Sequence, residues 1–167
     1  MKNPIFDRRS IRKFSSRAVE KESLDHLVEA AMFAPSAGNQ QPWQFVVVND
    51  RQVLDELIAS GPYTSALKTA QAAIIVCCDM ERVTREGFWI QDCSLASHNI
   101  LLEAFNLGLG TVWIGCYPRE DRMENVSQTL HLPVYAVPLN IIAIGYPDEQ
   151  KERPDRNDPA RIHYNRW

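Results

Sequence analysis

Residues 20–32 place Leu24, Leu27, Val28 and Ala31 at i, i+3, i+4 and i+7, the apolar stripe of an amphipathic helix, and Pro35 stops it. Residues 44–48 are rich in strand-forming side chains and predict a β-strand. Asp50 is a favourable N-cap for a second helix, with Val53, Leu54, Leu57 and Ile58 on one side and a break at Gly61-Pro62. The run 72–78 is continuously apolar, which suits a strand covered on both faces. Residues 89–107 predict a long helix, apolar on most sides through Ile90, Leu95, Ile100, Leu101, Leu102 and Phe105. Such a helix must be buried, either under a sheet or against a second subunit. Gly108 sits where a helix-ending glycine belongs. Residues 111–114 predict a strand, 119–130 a helix, and 137–144 a strand ending at Gly145, while Asn3-Pro4 offers a cap and first position for a short helix over 4–8.

Strands alternating with helices predict a layered αβ domain. No repeat, low-complexity tract or linker interrupts residues 1–147, so the expectation is one domain over 1–167. The last twenty positions differ. Residues 148–167 carry five acidic and five basic side chains with two prolines, and close on Ile162-His163-Tyr164-Asn165-Arg166-Trp167. Tyrosine and tryptophan gain most by docking, so this tail is expected to lie across a surface, that of a partner subunit included.

Composition narrows the function classes. At 167 residues, 45% hydrophobic and 23% charged, the chain can bury ~70% of its unfolded surface and needs no disulfide staple. A net charge of −3 argues against a protein built to grip nucleic acid. Cys77, Cys78, Cys93 and Cys116 show no C-x-x-C spacing, and the adjacent Cys77 and Cys78, in an apolar run, read as buried, inert thiols. The N-terminal residues have no apolar signal core, and no stretch approaches a membrane span. A reduced, cytoplasmic protein without a membrane or nucleic-acid partner is expected.

Several familiar constellations are absent from the sequence. His26, His98, His131 and His163 lack metal-ligand spacing, so no metal is expected, and there is no G-x-S-x-G elbow. Gly108-Leu109-Gly110 starts like a dinucleotide fingerprint, but its third glycine position is Trp113 and it runs from helix into strand. Three other segments are more informative. Arg8-Arg9-Ser10-Ile11-Arg12-Lys13-Phe14 sets four cations and a hydroxyl together, either a solvated charged face or a phosphate cradle. Residues 34–43 combine small residues, two prolines and the amides Asn39, Gln40 and Gln41. They make either a stiff helix-to-strand connection or a set of donors and acceptors for the edge of a heterocycle. Residues 108–115 bracket a strand with glycines, through packing or for close approach to something flat. Arg153 and Arg156 could return cations to the same phosphate, or pair with Asp155 and Asp158.

Taken in order, R-R-S-x-R-K-F, P-S-A-x-N-x-Q-P-W, G-L-G-x-x-W-I-G and the closing I-G-Y-P…R…H-Y-N-R-W resemble the FMN-dependent nitroreductase family over nearly the whole chain. The resemblance implies an α+β fold with three α/β/α layers, a mixed, mainly antiparallel sheet, and a homodimer with FMN at the subunit interface. Arg8, Arg9, Ser10 and Arg12 would hold the phosphate, ribityl chain and part of the ring. Pro35, Ser36, Ala37, Asn39 and Gln41 would come from the other subunit. Ile114 and Gly115 would lie against the isoalloxazine, and Arg156 would return to the phosphate. Arg153 is a lesser candidate, because Pro154 stands where a basic residue is usual. NADH or NADPH would deliver hydride to the flavin, and a nitroaromatic or quinone would take it in a ping-pong cycle. No side-chain nucleophile is implied, and His98 is expected to pack rather than react. Alternatives are an FMN-binding storage or sensing protein, a reductive dehalogenase or flavin-fragmenting relative, and a flavin-free interaction domain.

Overall fold

A computed structural model describes residues 3–167. Helices α1 (Pro4–Asp7), α2 (Lys21–Met32), α3 (Arg51–Ile58), α4 (Trp89–Asn106) and α5 (Glu120–Leu130) alternate with strands β1 (Trp43–Val48), β2 (Ala72–Asp79), β3 (Gly110–Gly115) and β4 (Ala136–Gly145). Each predicted element is present, with ends displaced by a residue or so. Asn3 and Asp50 cap their helices through side-chain oxygens that accept from Ile5 N and Gln52 N. Short 3₁₀ turns at Ala37–Asn39, Thr64–Lys68, Met80–Arg82 and Pro159–Arg161 carry no periodicity and went unpredicted.

The strands form one sheet in the order β1-β2-β4-β3. All three ladders are antiparallel. Among the described residues the parallel pairing is confined to a bridge between Ser10 and Thr111, where the N-terminal segment runs along the β3 edge. The expectation of a mainly antiparallel sheet in an α+β fold therefore holds.

The alternation of side chains along β2 and β4 builds two cores. Ile74 and Val76 with Ile142 and Ile144 face α2 and α4, meeting Leu24, Leu27 and Ile100. Ile75 and Cys77 with Ile141 and Ala143 face α3 and α5, meeting Leu54, Leu57 and Val126. A strand whose two faces both enter a core reads as an unbroken apolar run, which is why 72–78 lacks a polar beat. Each fully buried Leu or Ile contributes about 1.5–3 kcal/mol through burial. The result is the expected helix–sheet–helix layering.

Two glycines exist for packing. A Cβ on Gly110 would stand 2.9 Å from Ile11 Cβ, and one on Gly145 would stand 2.9 Å from Phe14 Cβ. The segment carrying the basic cluster thus crosses the sheet at side-chain-free positions, and Ile11 N donates to Thr111 O at 2.9 Å. At Gly110 the alternative of a flat ligand gives way to Ile11.

Candidate functional site

The basic segment leaves α1 and passes along β3, so Arg8 and Arg9 emerge beside the C-terminal end of α4. The chain returns there after β4. Asp148 N donates to Lys13 O at 3.0 Å, and Lys151 Nζ donates to Ser10 O at 2.7 Å. This docking brings Arg153 and Arg156 to Arg8 and Arg9 around a cleft of about 550 Å³ that Ile5, Phe6 and Asn157 also line.

The charges in this cleft are poorly compensated. Arg9 donates through Nε to Glu152 O, through Nη1 to Arg8 O and through Nη2 to Phe6 O, all backbone carbonyls. Asp155 Oδ1 is turned to Asn157 N. Arg153 alone of the four has an acidic partner among the described residues, Asp7 at 3.6 Å, and its guanidinium lies 4.9 Å from the Phe6 ring centre. The remaining three repel one another. Burial, then Arg9, then Arg156 push the Arg8 ionisation below its ordinary value. A bound dianion would relieve that repulsion and accept the forked donors, so the residues fit a phosphate. Arg12 is exposed, and its backbone N–H donates to Glu149.

The amide-rich loop lies elsewhere. Ser36 Oγ accepts from Gln41 N at 3.1 Å, and Asn39 Oδ1 accepts from Gln41 Nε2 at 2.9 Å. Gly38, Asn39 and Gln41 adopt φ of 58°, 56° and 46°, a left-handed path that only the glycine takes without cost. The loop is held from beneath. The buried Asp92 carboxylate, in the first turn of α4, accepts from Ala37 N at 2.9 Å and from Gln40 Nε2 at 2.6 Å. Gln40 Oε1 in turn accepts from Thr84 N and Arg85 N, both at 2.9 Å. Pro35, Asn39 and Gln41 are left exposed, with Ser36 and Ala37 half-buried.

Asp92, Thr84 and Arg85 were missed by sequence reasoning. From sequence, Asp92 is an ordinary first-turn acid favoured by the helix dipole. Gln40 was visible as one of three amides, but which of the three turns inward depends on tertiary contacts.

The third group is on β3. Ile114 is buried in the core against α3 and α5, so its backbone alone can meet a ligand. Gly115 is half-buried, and a Cβ there would meet nothing nearer than Trp113 Nε1 at 3.9 Å. Its carbonyl accepts from Arg122 Nη1 at 3.2 Å.

In one chain these groups do not converge. Asp92 beneath the loop and Phe105 beside the arginine cleft are thirteen residues apart on α4, about 20 Å at the helical rise of 1.5 Å. The loop enters β1 and Gly115 ends β3, on opposite edges of the sheet, about 14 Å across three strand spacings.

Near α1 and the C-terminus of α2 the surface is apolar. Phe33 is 79% exposed and Ile5 69%, and with Leu102 and Ala30 they line an open groove. His98 on α4 is also exposed. In the tail, His163 stacks on Trp167 at 4.2 Å, while Trp167 is 100% exposed, so the aromatic end finds no surface on its own chain. The four cysteines are free and buried. No group of metal-binding side chains occurs among the described residues, and no helix there is long and apolar enough to cross a membrane.

Comparison with known proteins adds an independent line. The chain matches the nitroreductase family over residues 5–73 and 56–146. A Methanothermobacter thermautotrophicus protein, provisionally named an NADH dehydrogenase/NAD(P)H nitroreductase, is 47% identical over 163 residues, covering 98% of this chain and 85% of that one. An FMN-dependent nitroreductase from Clostridium difficile superposes with a TM-score of 0.92 at 34% identity, covering 99% of each chain. A Desulfovibrio desulfuricans protein, provisionally named a nitroreductase and solved in complex with FMN, superposes with a TM-score of 0.84 at 29% identity, covering 98% of this chain and 95% of that one.

Proposed function

Because the chain belongs to the nitroreductase family, we propose that it is an FMN-dependent oxidoreductase that moves hydride from NAD(P)H to an electron-poor acceptor, a nitroaromatic or quinone, in a ping-pong cycle. The observation that carries this reading is the uncompensated charge of Arg8, Arg9 and Arg156 around one cleft, which calls for a phosphate-sized anion. FMN, when bound, would supply the hydride-transfer chemistry that the side chains lack.

The chain's own residues bind and orient. Arg8, Arg9 and Arg156 hold the phosphate, and Arg153 contributes less because Asp7 already engages it. Ser10 and Arg12 would join them in holding the ribityl chain and part of the ring. Gly115 would admit the flat isoalloxazine, since a Cβ there would meet nothing nearer than Trp113 Nε1 at 3.9 Å. Pro35, Ser36, Ala37, Asn39 and Gln41 are the partner-facing set, presenting amides to the ring edge from a second copy. Donors at that edge favour the charge that develops on reduction.

The same facts support a homodimer. On this reading the loop and the arginine cleft complete one site across two chains, and the exposed Phe33 and Ile5 lie on a face suited to burial. The aromatic tail then finds its surface on the partner. A fully reduced set of thiols and a requirement for NAD(P)H fit the cytoplasm.

The test is the visible spectrum of the purified protein, repeated anaerobically with NADH and with NADPH, alongside its mass in solution. A flavin spectrum that bleaches and recovers with a quinone, from a dimer, is expected. A bound flavin that neither nucleotide bleaches would favour a storage or sensing role. A protein that stays colourless with added FMN would overturn the proposal.

A further inference from the structure

The clamp at Gln40 ties the amide-rich loop to a second loop, 83–88, that the flavin contacts do not use. Gln40 Oε1 accepts from both Thr84 N and Arg85 N, which fastens the two loops together. Arg85 lies along the first loop: a Cβ on Gly38 would stand 3.2 Å from Arg85 Nε, 3.6 Å from its Cγ and 4.0 Å from its Cδ. The left-handed Gly38 is thus the floor on which the Arg85 stem rests. Arg82, in the adjoining turn, is engaged by Asp79 at 3.5 Å. Arg85 is exposed, and its guanidinium makes no hydrogen bond or ion pair among the described residues. A cation fixed by its stem, with a free planar fork, is arranged to receive a carboxylate or phosphate.

We propose that Arg85 is a specificity-determining residue that binds an oxyanion carried by the substrate at the site its loop completes on the partner subunit. This rests on the reading that residues 35–41 face the flavin ring of the other chain. The amide loop holds the ring, and Arg85, beside it, holds the charged substituent of the molecule stacked there. The oxyanion has two sources, a phosphate of the nicotinamide donor or a carboxylate of the acceptor.

The FMN-loaded wild-type protein and R85Q are compared in two ways. Steady-state kcat/KM is measured for NADPH against the uncharged donor 1-benzyl-1,4-dihydronicotinamide, and for 4-nitrobenzoate against nitrobenzene. Calorimetric titration with NADP⁺, benzoate and benzamide gives an equilibrium readout independent of turnover. The charged-to-neutral ratio is expected to fall about tenfold or more in R85Q, the loss of a hydrogen-bonded charge contact. A fall confined to the donor pair, with weaker NADP⁺ binding, assigns the phosphate. A fall confined to the acceptor pair, with weaker benzoate binding, assigns the carboxylate. A flavoprotein whose charged and neutral ligands change in step, or not at all, overturns the proposal alone. A wild-type chain that binds no FMN overturns the reading beneath it as well.

Discussion

Asp92→Asn tests the clamp through its polarity. Both Asp92 oxygens accept, one from Ala37 N and one from Gln40 Nε2, while Gln40 Oε1 accepts from Thr84 N and Arg85 N. The amide introduced by D92N can still accept from Ala37, but its N–H₂ then meets the Gln40 N–H₂. Rotating Gln40 serves the new amide and sets its own N–H₂ against two backbone donors. At least one donor is left unmet whichever way the amides turn, and a charged acceptor is lost, about 2–3 kcal/mol together. For a domain of this length that lowers Tm by about 4–12 °C. Gln40→Glu alone faces the Asp92 carboxylate with a second one and is also destabilised. Combined, the two substitutions restore every pairing. The carboxylate introduced by Q40E accepts from the new amide N–H₂ as well as from Thr84 N and Arg85 N, and the oxygen of that amide accepts from Ala37 N. Thermal and urea unfolding of the four proteins at one fixed concentration form a double-mutant cycle. The double variant should be more stable than the sum of the singles by at least about 1.5 kcal/mol. Additive losses, or D92N within about 0.5 kcal/mol of wild type, would refute the reasoning.

Arg8→Ala should weaken FMN binding by about 1.5–3 kcal/mol, roughly 10- to 150-fold in Kd by fluorescence titration, and unchanged retention would remove Arg8 from the site. Glu20 is held near a pKa of about 2 by the Tyr146 hydroxyl, then its own backbone N–H and Arg17. A depressed carboxylate contributes stability in full above its ordinary value near 4.5 and loses it as pH falls towards about 2. Tyr146→Phe should therefore raise the Glu20 midpoint seen by NMR and shrink the loss of stability in that acid window. A midpoint that stays near 2 would contradict the bond. Burial pushes the Cys77 and Cys116 thiols up to about 12, and Cys93 higher still through its hydrogen bond with Cys78 and burial. Native protein at about pH 8 should accordingly show no fast reaction with a disulfide reagent, and denatured protein should show four thiols.

The helices and strands were legible because their information is local. The spacing of Leu24, Leu27, Val28 and Ala31, the cap at Asp50 and the stops at Pro35 and Gly108 act within a turn or two of chain. The candidate site was legible as separate pieces. Four cations in six residues, three amides in a row and a glycine-bracketed strand each kept a bland alternative, and their order along the chain singled out a family. The short 3₁₀ turns have no period to betray them.

Long-range contacts were beyond any such pattern. The strand order β1-β2-β4-β3 arises from pairings between residues such as Ala72 and Ile144, whose register depends on two cores closing at once. The sequence showed that Gly110 was open, but not that Ile11 would fill it, nor that Asp92 would turn from the helix dipole to the loop. It brought no reason for Arg153 to be drawn to Asp7 while Arg8, Arg9 and Arg156 stayed uncompensated. Local periodicity specifies which face of an element is apolar, whereas charge balance and hydrogen-bond polarity are properties of groups that meet only when distant segments pack.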